Sequence, residues 1–153
     1  MGKYIITEEG FNKLKTELEY LYKIGRKKNI EELRVTAEFG DLRENSEYDA
    51  AVNEQWRIES RIQRLEDYLE HAEVIKKNKS GVVGFGSEVT ILNLDDNTID
   101  KITIVSDIEA DILSNKISIS SPLGQTLMNK SIDEIVSIEG PSGLFSVKIV
   151  KID

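Results

Sequence analysis

Residues 51–72 read AVNEQWRIESRIQRLEDYLEHA. Ala51, Gln55, Ile58, Ile62, Leu65, Leu69 and Ala72 recur at alternating spacings of four and three, the heptad period by which a helix lays one apolar seam against a partner helix. Gln55 is the one polar member. The partner lies upstream. Thr7-Glu8-Glu9-Gly10 offers a helix N-cap followed by acids in the first turn. A seam starts as Phe11, Leu14, Leu18 and Leu21, breaks at Gly25-Arg26-Lys27-Lys28, and resumes in a shifted phase as Ile30, Leu33 and Ala37. Each helix runs about 30 residues, so about 45 Å at 1.5 Å per residue. A short connection makes two such helices antiparallel neighbours. No third helix is available to cover the flanks of the seam. Residues 8–75 therefore read as a projecting antiparallel coiled coil.

Downstream the period changes to two. Strands are predicted at 88–94, 99–105, 116–120, 134–138 and 144–152, with turn chemistry at Asp95-Asp96-Asn97 and Gly140-Pro141-Ser142-Gly143. Ser121-Pro122 opens a short helix through Met128, with Ser as cap and Pro at the first helical position. The polar run Lys76 to Gly81 marks the boundary. The fold class is α+β: residues 1–78 form an antiparallel α-helical coiled-coil domain, and residues 79–153 an antiparallel β-sheet domain with one short helix.

Composition narrows the function classes. The 153-residue chain carries a net charge of −8 and no Cys, and His71 is its one His. Disulfides, thiolate catalysis and Cys- or His-rich metal sites are excluded. Apolar runs are only a few residues long, so no membrane span is expected, and a reducing, cytoplasmic setting fits. The acidic balance argues weakly against free duplex nucleic acid as partner; contact with nucleic acid is expected inside another machine.

The segment between the helices, Glu38-Phe39-Gly40-Asp41-Leu42-Arg43-Glu44-Asn45-Ser46-Glu47-Tyr48-Asp49, crowds five acids around a bend. One reading is structural: Gly40 ends a helix in the left-handed region, and Asp41-x-x-Glu44 is a capping box for the next. The other is chemical. Two ionised carboxylates at the end of a rod suit Mg²⁺, which binds through one or two carboxylates plus substrate phosphates. They form an incomplete site that another protein must finish.

GDLRENSEYDAA at 40–51 resembles the signature of the bacterial transcript cleavage factors of the Gre family. The likeness continues through Thr7-x-Glu9-Gly10, FGSEVTILNLD (85–95), IEAD (108–111), KISISSPLGQTLM (116–128) and the Gly140-Pro-Ser-Gly143 turn, so it spans the chain. It implies an N-terminal coiled coil and a C-terminal FKBP-like domain, similar to the FK506-binding proteins. It further implies a monomer that binds bacterial RNA polymerase and inserts the coil into the secondary channel. There the tip would stimulate the polymerase's own Mg²⁺-dependent cleavage of the nascent RNA 3′ end in backtracked complexes. By this resemblance Asp41 and Glu44 are the catalytic acids and share the polymerase's Mg²⁺, with no metal held tightly by the free factor. Ser121 and Pro122 belong to the polymerase-docking surface.

The chain departs from the family pattern in two places. Arg26-Lys27 stands where members often have Arg-Pro, which leaves a kink there open. Ala51-Val52-Asn53 stands where many have a basic residue. RNA contact is accordingly expected from Arg57, Arg61 and Arg64, whose spacing puts them on one helix stripe; the competing reading is a solvated flank paired with nearby Glu. Two other functions stay open. One is a channel-blocking inhibitor without cleavage, which retention of both acids disfavours. The other is a peptidyl-prolyl isomerase, which needs an aromatic-lined pocket although Phe85 and Phe145 are the only aromatics after residue 84.

Overall fold

The computed structural model describes residues 3–39, 45–77 and 80–153. They form two compact units, Phe11–Ala72 and Met1–Gly10 with Glu73–Asp153. The N-terminal segment groups with the second unit, and the expected boundary residues 78 and 79 lie outside the described residues. Strand β1 (Tyr4–Ile6) pairs with β2 (Ala72–Val74) in a small sheet, and Ile6 is fully buried. Thr7 donates from both its backbone N–H (2.7 Å) and its hydroxyl (2.8 Å) to Glu109 Oε1. Gly10 lets this carboxylate lie against the backbone; a Cβ there would fall 1.7 Å from Glu109 Oε1, so the Glu109 side chain would have to move.

The first unit is the expected helical hairpin. Helix α1 (Glu8–Tyr20) starts where predicted, with Thr7 Oγ1 accepting from Gly10 N–H at 3.0 Å. Between α1 and α2 (Arg26–Ala37) the chain makes one π-helical turn, Leu21–Gly25. A π turn inserts an extra residue and rotates everything after it. That is the physical source of the phase shift legible in the sequence, although the seam resumes on other residues than expected. Ile30 is 62% exposed and Ala37 is exposed, while Leu21, Gly25 and Asn29 are buried. The irregularity comes without the Arg-Pro step.

Helix α3 (Ser46–Glu70) buries Ala51, Ile58, Ile62 and Leu65, four members of the predicted seam. Gln55 is exposed. The buried polar group of the seam comes instead from the other arm, where Asn29 Nδ2 donates to Ala51 O at 2.9 Å. A buried amide must be paired, so this bond fixes the register of the two arms. Ala72, the expected last seam residue, lies in β2, because α3 ends at Glu70 with His71 as cap.

The second unit holds a five-stranded sheet of order β5-β4-β3-β7-β6, with β3 Glu88–Asn93, β4 Ile99–Val105, β5 Lys116–Ser118, β6 Ile135–Gly140 and β7 Gly143–Ile152. Three of its strand pairs are antiparallel, but β4 and β5 are parallel. The sheet is therefore mixed rather than antiparallel. Period-two alternation tells which face a side chain takes, and it carries no information on strand direction. One face, with Val89, Ile91, Ile102, Ile104, Val136, Ile138, Val147 and Ile149, packs with Val83 and with Leu127 of α4 (Pro122–Leu127) into a single core.

Candidate functional site

The hairpin's open end is organised by Asn45. Its Oδ1 accepts from Tyr48 N–H at 3.0 Å, which makes it the N-cap of α3, and its Nδ2 donates to Thr36 O near the end of α2 at 2.6 Å. One side chain thus ties the end of one arm to the start of the other. Asn45 satisfies an orphan donor at one helix end and an orphan acceptor at the other. Asp41 and Glu44 lie outside the described residues. The cap they were expected to supply is Asn45's, so α3 does not begin with an Asp41-x-x-Glu44 capping box. Glu47 and Asp49 occupy its first turn, where the helix dipole favours negative charge. Tyr48 is half-buried. No group of three or more His, Asp or Glu that could hold a metal occurs among the described residues.

The arginine stripe is unevenly committed. Arg57 Nε and Nη2 bond both oxygens of Glu54 at 2.8 and 2.5 Å. Arg61 forks onto Glu17 of the opposite arm, 2.8 Å to each oxygen. Arg64 is exposed and makes no ion pair among the described residues. Arg26 binds Glu59 across the hairpin in the same bidentate way. Hydrogen bonds from Arg57 and Arg26 hold the Glu54 and Glu59 carboxyls below the usual carboxylate range. His71 Nδ1 lies 3.0 Å from the carbonyl oxygen of Asp67 in the last turn of α3.

In the sheet unit Ser121 is the N-cap of α4, accepting from Gly124 N–H at 3.1 Å, and its hydroxyl donates to Ser118 O at 2.7 Å. Pro122 takes the first helical position. Gly124 passes so close to the preceding strand that a Cβ would meet Ser118 O at 2.1 Å. Asp107 accepts from the hydroxyls of Ser118 and Ser120, and these bonds hold its carboxyl below the usual range. They tie the 107–111 loop to the loop that presents Ser121-Pro122. A groove of about 760 Å³ in this unit is walled by Glu8, Glu9, Lys76, Lys77, Glu88 and Lys116 with Val74, Ile75 and Val105 between them. It has no aromatic wall and gives the isomerase reading no support.

Two family descriptions match the chain end to end: "Transcription elongation factor, N-terminal" over residues 4–74, and "Transcription elongation factor, GreA/GreB, C-term" over residues 77–153. The chain belongs to the GreA/GreB family of transcription elongation factors. Among its relatives, transcription elongation factor GreA of Bacillus subtilis is 44% identical over 148 residues, 96% of this chain and 94% of the relative. GreA of Thermosipho melanesiensis is 44% identical over 147 residues, again 96% and 94%. The crystal structure of GreA factor homolog 1 of Thermus thermophilus aligns at 30% identity, covering 99% of each chain with a TM-score of 0.44. The family's N-terminal match contains the hairpin end and the arginine stripe of this Gre chain, and its C-terminal match contains the Asp107–Ser120 link and Ser121-Pro122.

Two residues of this Gre chain escaped the sequence reading. Asn45 was hidden by the acids before it, although Asn45-Ser46-Glu47-Tyr48 places a strong capping residue directly before a helix. Trp56 is the chain's one Trp and is 70% exposed; its position outside the heptad seam was the available signal.

Proposed function

We propose that this chain binds bacterial RNA polymerase, places its hairpin in the enzyme's secondary channel and stimulates the polymerase's own cleavage of backtracked nascent RNA, rescuing arrested complexes. The factor is a monomer acting in the cytoplasm and is not itself the nuclease. The observation that carries the reading is the Asn45 clasp between the arms. It holds the end of α2 to the start of α3, so the two arms meet in a fixed pairing on either side of the segment whose sequence carries Asp41 and Glu44.

Asp41 and Glu44 would supply oxygen ligands toward a Mg²⁺ that the polymerase holds, and such an ion would lower the pKa of a bound water and help activate it as the nucleophile. Of the arginine stripe, Arg64 is the residue available to extruded RNA, because Arg57 and Arg61 are occupied by carboxylates. Ser121, Pro122 and the linked 107–111 loop form the polymerase-docking surface. The test is a stalled, backtracked bacterial transcription complex incubated with Mg²⁺ and the factor. Shortened RNA is expected with polymerase and factor together, and none with the factor alone. A factor that binds the complex but leaves RNA length unchanged would be an inhibitor instead.

A further inference from the structure

Trp56 stands on the face of α3 opposite the seam residues Ile58, Ile62 and Leu65. Its 70% exposure is unusual for the largest apolar side chain, which ordinarily buries 150–250 Å² (roughly) when it packs. Tyr22, another exposed aromatic of the hairpin, is used internally: it lies under the Arg26 guanidinium at 5.0 Å and donates to Glu66. Trp56 makes no hydrogen bond or ring contact among the described residues, so the fold does not account for it.

We infer that Trp56 is a docking anchor for a protein surface: an apolar socket on the polymerase wall that faces α3, with an acceptor for the indole N–H. The inference rests on the polymerase reading given above. Charge decides between protein and RNA as the occupant. By helical spacing Val52, Ser60 and Gln63 share the Trp56 face, and the charged residues in line with it are the acids Asp49, Asp67 and Glu70, with Glu59 at its edge. Arg57 beside it is neutralised by Glu54. Arg64, the stripe's free cation, lies eight residues on, about 12 Å along the helix and roughly a quarter turn away. Base stacking on an aromatic works together with a basic groove that holds the phosphates, and no such groove surrounds this indole. An exposed Trp flanked by Val52, Asn53, Ser60 and Gln63, with the adjoining Arg57 and Glu59 already paired within the hairpin, instead suits a protein hot spot, where an aromatic fills a pocket and its rim excludes water.

Because the chain has a single Trp, factor labelled with 5-fluorotryptophan gives one ¹⁹F signal. With core polymerase free of nucleic acid, that signal is expected to lose its free-state position. Trp56→Ala should weaken binding tenfold or more, and Trp56→Phe should retain most of the affinity. Circular dichroism should show the hairpin unaltered in both variants. Equal affinity of wild type and Trp56→Ala for core polymerase would overturn the inference. A loss seen only in backtracked complexes with extruded RNA would overturn it too, and assign the indole to a base. Wild-type factor that fails to bind polymerase at all would refute the functional reading itself, and so is distinct from either result.

Discussion

In the sheet unit ten residues from four strands (β3, β4, β6 and β7), α4 and the segment before β3 meet in one core, with Val83, Val89, Ile104, Leu127 and Ile149 fully buried. In the hairpin the buried apolar side chains, Leu14, Leu21, Ala51, Ile58, Ile62 and Leu65, run in single file between two helices. Phe11, Leu18, Leu33 and Leu69 are only half-buried, and the seam is completed by a glycine, a buried asparagine and cross-arm ion pairs: Gly25, Asn29, Arg26–Glu59 and Arg61–Glu17. Area removed from water is the main stabiliser. Exposed ion pairs add at most about 1 kcal/mol each. The hairpin is therefore the weaker unit, specified by polar register devices more than by bulk. Its surface is left free for contact with a partner.

The largest effect that could break this contrast is a cavity in the thin seam. Ile62→Ala should remove about 2–5 kcal/mol. Because the hairpin has little else to lose, its amides should exchange fast in native-state hydrogen exchange while β3, β4 and β7 stay protected. Ile104→Ala should reverse the pattern. Uniform loss in both variants would mean that the two units unfold as one. Next is Asn45→Ala, which deletes an N-cap worth about 1 kcal/mol. Exchange should rise at the start of α3, and stimulated cleavage should fall more than polymerase affinity does.

Smaller effects separate the arginines. Arg61→Ala should cost the hairpin under about 1 kcal/mol. Arg64→Ala should leave stability unchanged, yet slow cleavage of deeply backtracked complexes, and lose that effect as salt rises. Smallest is the response to acid. Hydrogen bonds from Arg57 and Arg26 lower the folded Glu54 and Glu59 carboxyls from their ordinary 4.5. A carboxyl depressed in the folded state contributes stability above its unfolded value and loses it as pH falls through the folded one. The hairpin should therefore weaken slightly as pH drops below 4.5, by an amount kept small because both groups are exposed. A circular dichroism melt at two pH values reads it.

Apolar periodicity made most of the fold legible. The 3.5 period placed α3 on Ile58, Ile62 and Leu65, and the 2.0 period placed β4 at Ile99–Val105 without error. The shift between Leu21 and Ile30 was visible, but a hydrophobic pattern cannot say that Gly25 and Asn29 will fill the seam, since neither is apolar. Strand direction at β5 was illegible because alternation is the same read either way. The β1–β2 pair was missed because strands of three residues are too short to show a period. At the candidate site, the acids were conspicuous and Asn45 was not. A cap acts through one hydrogen bond to a backbone group, and five neighbouring carboxylates offered rival caps.

The central claim is that Asp41 and Glu44 act chemically rather than structurally. It is tested most directly by comparing wild type with Asp41→Asn and Glu44→Gln on one backtracked complex, reading cleavage rate and polymerase affinity in parallel. Both variants should lose stimulated cleavage while binding with near wild-type affinity and melting at the wild-type temperature. Wild-type cleavage rates in both variants would contradict the account, as would a loss of cleavage that follows a loss of hairpin stability.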